Sequence, residues 1–408
     1  MKNFLTDINN QQKGTDILRS IFVYCLESGK STIPQISKSL NISVPTVTKH
    51  VNELCENGYF VDYGKIESKE GRPANIYGIN ALSCYFIGVD ITPLLLSIAI
   101  VDLTGSIISM SIDKDYIIDN STKALDDICK RIDNFITKTV KSKKIEDASK
   151  ILNINVNVTG RINSRTGYSY STFNTGENSF ASVISEKLGY HVTIENDTRA
   201  KTYGEYCNIQ GTKPEMMLCI NIDMGIAMGA VINGELLTGK SGFAGEFGHT
   251  SVFDNEILCH CGKKGCLETE ISGAALRREV LEKINGGSES SLSTKVKNGT
   301  DISIYDIIEA INQTEDMLCI EIIENIGFKL GRYIANLINL FNPDKIIISG
   351  LLAQTGDFIL NPIKISVKKY ALMLASYDTE IQISSLNYEA GVIGACLLSR
   401  NRTLGTHS

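Results

Sequence analysis

Twice along this chain a run of closely spaced strand-like segments gives way to helices alternating with single strands, and no other feature constrains the fold as tightly. The first run opens beyond residue 83. Residues 84–90 (CYFIGVD) and 94–102 (LLLSIAIVD) read as two strands joined by a turn, and 106–112 adds a third. A helix over 121–141, an alternating strand at Ile151–Val158, a helix over 179–188, a strand at His191–Glu195 and a helix over 198–208 follow. The second run has strands at 216–222 and 225–232 and a short segment at 235–238, then helices near 274–284, 303–311 and 315–340. It closes with a strand at 344–350, a helix over 357–375, a strand at 380–385 and a last helix over 389–400. Apolar positions recurring at helical or strand spacing carry these assignments. Two successive lobes, each a meander followed by helices, predict a duplicated α/β architecture.

The first eighty residues have another texture. Residues 15–28 place Ile17, Leu18, Ile21, Phe22, Cys25 and Leu26 at helical spacing, and Gly29 ends that helix. A short helix over Ile33–Leu40 follows, and Asn41-Ile42 form a turn. Ser43 stands where it would cap a third helix, Val44–Asn57, with Pro45 in its first turn. Two strand-like runs, Tyr59–Tyr63 and Asn75–Ile79, flank a charged loop that carries Gly71-Arg72-Pro73. Helix, helix, turn, helix, hairpin is the order of a winged helix-turn-helix. The expected boundaries are 1–82 for this domain, 83–197 plus 386–408 for the first lobe, and 198–385 for the second.

A winged helix reads DNA by presenting short polar side chains and cations along one face of its third helix. Ser43, Thr46, Thr48, Lys49 and His50 form such a face, while Val47, Val51 and Leu54 pack inward, and Arg72 in the wing would reach phosphate or a minor groove. Residues 1–80 hold 9 Lys/Arg against 8 Asp/Glu, a balance of only +1, so the footprint is local and tight binding needs more than one copy. A winged helix used for protein contacts would carry the same pattern. The net charge of −6 excludes a coat of nucleic-acid-binding charge over the whole molecule, not DNA binding by one small domain. The longest apolar stretch, Leu94–Val101, is too short to span a bilayer, and the N-terminus lacks a signal pattern. A cytoplasmic protein with no membrane contact is expected.

The 11 cysteines are odd in number, and most stand singly among apolar residues, as Cys25, Cys84, Cys219 and Cys396 do. That is the usage of reduced, buried thiols. Three cluster: the spacing His249-x9-Cys259-x-Cys261-x4-Cys266 supplies three thiolates and an imidazole. Such a set satisfies a tetrahedral Zn2+ with no open position, which makes the site structural. Gly262 and Gly265 would let the short loop fold back. A chance cluster of buried thiols is the alternative, and His260 competes with His249, although its neighbours already crowd that arc.

With these motifs on the page, GFAGEFGH (242–249) followed by CHCGKKGCLETEISG (259–273) resembles the signature of the ROK family of repressors and sugar kinases, over nearly the whole chain. The N-terminal winged helix makes the repressor branch, with its N-acetylglucosamine and xylose repressors, the closest likeness. The resemblance implies a two-lobed actin/hexokinase-like (RNase H-like) sugar-kinase fold whose C-terminal helix returns to the first lobe, and a homodimer or homotetramer. It also implies sugar contacts at Asn196, Asp197, Glu246, His249 and Glu268, with Phe173-Asn174 a looser match. Carboxylates and amides suit the task because each accepts or donates to neighbouring hydroxyls. His249 would then serve both the metal and the sugar pocket. Each residue has a plainer reading: Asn196 or Asp197 as a helix cap, Glu246 or Glu268 as a solvated surface acid.

In the family's kinases Asp197 would be the general base; here it is a vestigial candidate and no catalytic residue is assigned. The phosphate cradle differs. Where the kinases carry an Asp-x-Gly-Gly-Thr type of turn, this chain has Asp90-Ile91-Thr92-Pro93-Leu94, and where they resemble Gly-Thr-Gly it has Asp223-Met224-Gly225. Pro93 removes a donor, and the Asp223 carboxylate would repel a triphosphate. The expectation is a non-enzymatic, sugar-responsive transcriptional regulator on operator DNA, its effector a sugar or sugar phosphate that alters the lobe angle and the spacing of paired winged helices. The rival is a working sugar kinase with an appended DNA-binding domain. A scaffold regulated by a protein partner is a third reading.

Overall fold

The computed structural model describes residues 16–66, 74–114, 116–118, 121–173 and 175–406. Its two large sheets share one plan. In the first, β4 (Tyr85–Thr92), β5 (Leu95–Asp102) and β6 (Ile107–Asp113) form an antiparallel meander, β7 (Ile151–Val158) pairs parallel with β4, and β10 (Val192–Asn196) pairs parallel with β7. In the second, β11 (Met216–Ile222), β12 (Ile226–Ile232) and β13 (Glu235–Leu236) form the meander, with β14 (Lys345–Ser349) parallel to β11 and β15 (Glu380–Ile383) parallel to β14. Each sheet therefore reads third, second, first, fourth, fifth strand. This is the duplicated α/β architecture that the repetition predicts, in the actin/hexokinase-like form that the family resemblance implies.

Two compact units contain these sheets: one runs to Asp197 and resumes at Val392, the other spans Thr198–Gly391. In the first unit, α4 (Thr122–Lys141) and α5 (Phe180–Leu188) cover one face of the sheet, where Ile87, Val89, Ile154, Val156 and Ile194 make a core with Ile128, Ile132, Phe180 and Ile184. The opposite face carries α13 (Ala390–Leu404), so the central strands are buried on both sides, as parallel strands require. The approach is close: a Cβ on Gly88 of β4 would lie 2.5 Å from the Cys396 nitrogen. The second unit is built on α6 (Asp197–Asn208), α7 (Gly273–Asn285), α8 (Ser293–Lys297), α9 (Ile304–Gln313), α10 (Met317–Phe341), α11 (Asp357–Tyr370) and α12 (Met373–Asp378).

The N-terminal helices fold as the capping chemistry dictates. The helices α1 (Asp16–Ser28), α2 (Ile33–Leu40) and α3 (Val44–Glu56) are followed by β2 (Phe60–Ile66) and β3 (Ala74–Ile79), with the two-residue β1 (Ser31–Thr32) completing a small sheet. Thr32 and Gln35 form a reciprocal capping box on α2, Asn41 ends it in the left-handed region at φ 54°, and Ser43 caps α3. Leu18, Phe22, Val47, Val51 and Leu54 close the domain's centre, and their cluster continues into Phe86, Val101 and Leu103 of the first sheet and Val392, Cys396 and Leu404 of α13. The winged helix thus shares a core with the first unit.

Three features depart from the sequence reading. The helix expected over 357–375 is two helices, with Ala371 extended at ψ 154° between them. The Asn339 side chain accepts from Leu372 N at 2.8 Å, so a side-chain amide of α10 replaces the helical ladder there. The short hairpin of β8 (Ile162–Asn163) and β9 (Tyr168–Ser169), and the brief α8, carry too little periodicity to be seen in advance. Finally, the expected Phe173 contact with ligand is corrected: its ring is buried and stacks on Phe180 at 5.5 Å, part of the core. Asn174 and Arg72 lie outside the described residues.

Candidate functional site

In the second unit the chain from Leu237 to Ser272 forms two 3-10 turns and two isolated antiparallel bridges, Ser251 with Cys266 and Leu258 with Lys264, and its path is fixed by backbone contacts. Gly245 lies at φ 89° with its Cβ position 1.9 Å from Met228 O, so only glycine lets this segment lie against β12. Gly262 and Gly265 also have positive φ, and the Gly265 Cβ position is 2.1 Å from Phe253 O. The turn they permit brings together Cys259, Cys261, Cys266 and His249, whose ligand atoms all lie within 4.8 Å of one another. Cys261 Sγ and Cys266 Sγ are 3.6 Å apart, and Cys259 Sγ is 3.5 Å from His249 Nδ1. A tetrahedral zinc with ordinary Zn–S and Zn–N bonds separates its ligand atoms by about 3.5–3.8 Å. The four residues therefore fit a metal ion of that kind. Burial pushes the Cys259 thiol up to about 12 against an opposing backbone hydrogen bond from Cys261, so a cation is what would keep it a thiolate.

The other nitrogen of His249 faces away from the thiols. Its Nε2 is 3.6 Å from Glu246 Oε2, so one imidazole touches both the cluster and the first of the candidate sugar carboxylates. Glu268 accepts from Ile226 N at 3.2 Å through Oε2 and meets His260 Nδ1 at 2.7 Å through Oε1. His260 itself is 64% exposed and pairs with this carboxylate, outside the four-residue cluster. Glu246, His249 and Glu268 thus gather around the metal knot.

The remaining two candidates, Asn196 and Asp197, stand in the first unit, where β10 runs into α6. Asp197 is 5% exposed, and its carboxylate accepts from Thr159 Oγ1 at 3.3 Å and from Asn196 Nδ2 at 3.0 Å. Asn196 Nδ2 also donates to Gly160 O at 3.0 Å. Both side chains are held in one geometry by their own strand's neighbours.

At the two turns compared with the kinases' phosphate cradle, the acidic side chains bond within the protein. Pairing of β4 with β5 continues to Thr92 and Leu95, leaving Pro93-Leu94 as a two-residue turn, while Asp90 is fully buried and accepts from Asn157 Nδ2 at 3.0 Å. At the second turn, the bare repulsion expected from Asp223 is corrected. Its carboxylate meets Lys201 Nζ at 2.7 Å and accepts from Asn221 Nδ2 at 2.9 Å and from Leu351 N at 2.8 Å. Burial works to raise this carboxyl, but the Lys201 charge and these hydrogen bonds outweigh it and hold it below the usual carboxylate range. The charge is neutralised from within, and the Leu351 backbone donor is engaged by the protein itself.

On α3, Val47, Val51 and Leu54 are fully buried as expected. Ser43 Oγ caps the helix and lies 2.7 Å from Thr46 Oγ1, Thr48 Oγ1 donates to Val44 O at 2.8 Å, and His50 Nδ1 faces Glu53 at 3.1 Å. Lys49 is exposed. The sequence reading passed over Val44, 48% exposed, and exposed Pro45 and Asn52 on the same helix. An apolar residue at a helix N-terminus is a contact for a thymine methyl, which could have marked Val44.

A small winged helix built into one unit of a duplicated kinase-like fold, with a cysteine–histidine knot in the other, defines a class of protein. The chain belongs to the ROK family, whose profile matches residues 86–402, and a winged helix-turn-helix DNA-binding profile matches residues 17–61. It is 30% identical over 313 residues to a glucokinase of Halalkalibacterium halodurans, covering 76% of this chain and 93% of that one. It is 27% identical to the xylose repressor of Caldicellulosiruptor bescii, covering 88% of this chain and 89% of the repressor. Among solved structures, a ROK family transcriptional regulator described as a homologue of the E. coli MLC protein matches with a TM-score of 0.79 at 26% identity, over 99% of this chain and 98% of that one. Among the described residues, no helix is long and apolar enough to cross a membrane.

Proposed function

We propose that this protein is a sugar-responsive transcriptional repressor, without kinase activity, working in the cytoplasm on operator DNA as a homodimer or homotetramer. The observation that carries the reading is the shared core between the winged helix and the first unit, because a packed DNA-binding domain, unlike a tethered one, feels changes in the fold beneath it. The functional segments are 1–82 for DNA, and 83–197 with 386–408 and 198–385 for the two sugar-kinase-like lobes. Ser43, Thr46, Thr48, Lys49, His50 and Arg72 would meet DNA, with Val44 added from its exposure. Asn196, Asp197, Glu246, His249 and Glu268 would take the hydroxyls of a sugar or sugar phosphate. His249, Cys259, Cys261 and Cys266 would hold a structural zinc, which supplies fixed geometry to Glu246 and Glu268 and no reaction chemistry. The engaged Asp223 carboxylate and the Pro93-Leu94 turn support the absence of ATP chemistry.

A duplex selected by the purified protein from a random pool, titrated with and without xylose, glucose and N-acetylglucosamine, tests this reading. A tenfold or larger change in operator affinity with one sugar is expected, and no change with any of them, or with their phosphates, overturns it. The kinase reading has one observation in its favour: Asp197 is retained and held in place. It predicts ADP release with a hexose that Asp197→Asn abolishes, and the repressor reading predicts no turnover in either form.

A further inference from the structure

Strand β7 alternates Ile and Val with Asn153, Asn155 and Asn157, and all three asparagines are buried. They face α13. Asn153 Nδ2 donates to Ser399 O at 3.3 Å, Ser399 Oγ donates to Asn153 O at 2.9 Å, and Thr193 Oγ1 of the adjoining β10 donates to Asn155 Oδ1 at 2.9 Å. Into this polar seam α13 sends Arg402. Its guanidinium bonds Asn155 Oδ1 at 3.1 Å, Ile194 O at 3.2 Å, and the Glu195 carboxylate, which is wholly buried. The other Glu195 oxygen accepts from Asn196 N at 2.8 Å. One turn beyond Arg402, the carbonyl of Gly405 is bonded by Arg19 of α1, the first helix of the winged domain.

We propose that Arg402 is a positioning residue that reports sugar occupancy at Asn196-Asp197 to the DNA-binding domain, through Glu195 on one side and through Gly405 and Arg19 on the other. The geometry fits that task. Glu195 is joined to Asn196, the first of two successive residues among the proposed sugar contacts, so a ligand that draws Asn196 or Asp197 moves the backbone N–H that Glu195 holds. A buried carboxylate cannot let its cation go without a heavy desolvation penalty, so Arg402 follows it. The planar fork, bonded at three points, transmits orientation where a single ammonium would transmit only charge. The far end of α13 lies under the winged helix, with Leu404 in its core, so a shift of the helix is felt by α1 directly.

This inference rests on the repressor reading, and the test separates the two. Operator affinity with and without sugar is measured for wild type, Arg402→Lys, Arg402→Met and Arg19→Met, using the selected duplex and whichever of xylose, glucose or N-acetylglucosamine affects wild type. Sugar affinity and the unfolding midpoint are measured alongside. The ratio of operator affinities without and with sugar should fall from tenfold or more toward unity in all three variants, while sugar affinity and sugar-free operator affinity stay within about threefold of wild type, since the bonds removed run to Asn155, Ile194, Glu195 and Gly405 and not to a proposed sugar or DNA contact. Arg19→Met leaves the buried pair intact, so it decides the matter if the Arg402 variants fail to fold. A responsive wild type with undiminished ratios in folded variants overturns the relay alone. A wild type that ignores every sugar overturns the repressor reading and the relay together.

Discussion

Replacing Asp223 with Asn tests the idea that this chain has filled its own anion position. The carboxylate takes three donors, Lys201 Nζ at 2.7 Å, Asn221 Nδ2 at 2.9 Å and Leu351 N at 2.8 Å, and an amide oxygen cannot serve all three. The amide NH2 would also confront at least one of them. Lys201 is buried and keeps its bond to Asn221 Oδ1 at 3.2 Å, but the variant removes its charged partner, a loss that costs about 3–5 kcal/mol in a closed site. Asp223 keeps 27% of its side-chain surface, which puts the expectation at the lower end, about 3 kcal/mol. For a unit of this size, that lowers the melting temperature by roughly 6–12 °C. Because the folded carboxyl titrates below its unfolded value, its contribution is fully present above the ordinary carboxylate range near pH 4. The contribution is lost as pH falls through the depressed folded value, so the gap between wild type and variant should close in acid. Thermal unfolding of Asp223→Asn, Lys201→Met and the double variant, at neutral pH and at about pH 3, measures all of this. A shift under 2 °C, or fully additive single effects, would refute the reasoning.

Two further outcomes are expected. Gly245→Ala should destabilise the second unit by on the order of 3–4 kcal/mol, since its Cβ would fall 1.9 Å from Met228 O at a φ of 89°; a melt within 1 °C of wild type contradicts the placement of this loop. Lys49→Ala should weaken operator binding about equally across related sequences and reduce the slope of log affinity against log salt by about 1, as loss of one phosphate contact does; an unchanged slope removes Lys49 from the interface.

The repeated strand pattern and the cysteine spacing were legible because both are local: a meander announces itself by apolar runs between turns, and a metal knot by ligands close in sequence. What escaped notice depends on partners far along the chain. Ile151–Val158 reads as an alternating strand with one wet face, yet Asn153 and Asn155 are buried because Ser399 and Arg402 arrive on the final helix to pair with them. The break after Tyr370 comes from Asn339 on another helix, and Asp223 looked repulsive only because Lys201 and the Leu351 N–H that neutralise it could not be placed. Phe173 matched a motif loosely, and its ring serves the core beside Phe180 instead. On α3 the inward residues were legible from spacing, whereas the hydroxyl of Thr48 is occupied by its own helix.

The zinc proposed for the cysteine–histidine cluster has a consequence for the proposed sugar response that can be separated from folding. The stretch from Leu237 to Ser272 is long for a segment with two 3-10 turns and two isolated bridges as its regular structure, and such segments hold one shape only when something pins them. Here the pins are the glycine contacts with β12 and the four-residue cluster, and the proposed sugar carboxylates bracket the latter: Glu246 stands three residues before His249 and Glu268 two after Cys266. The winged helix belongs to the other unit and shares that unit's core. Metal removal should therefore abolish the response to sugar before it touches DNA binding. Purified protein is expected to carry one zinc per chain, and chelation or Cys266→Ser should weaken sugar binding at least tenfold and expose residues 237–272 to protease first. Operator affinity without sugar should stay within about threefold, because the DNA-binding core holds no part of the cluster. Zinc-free protein that still answers to sugar at full strength would show that the knot does not hold these carboxylates in place.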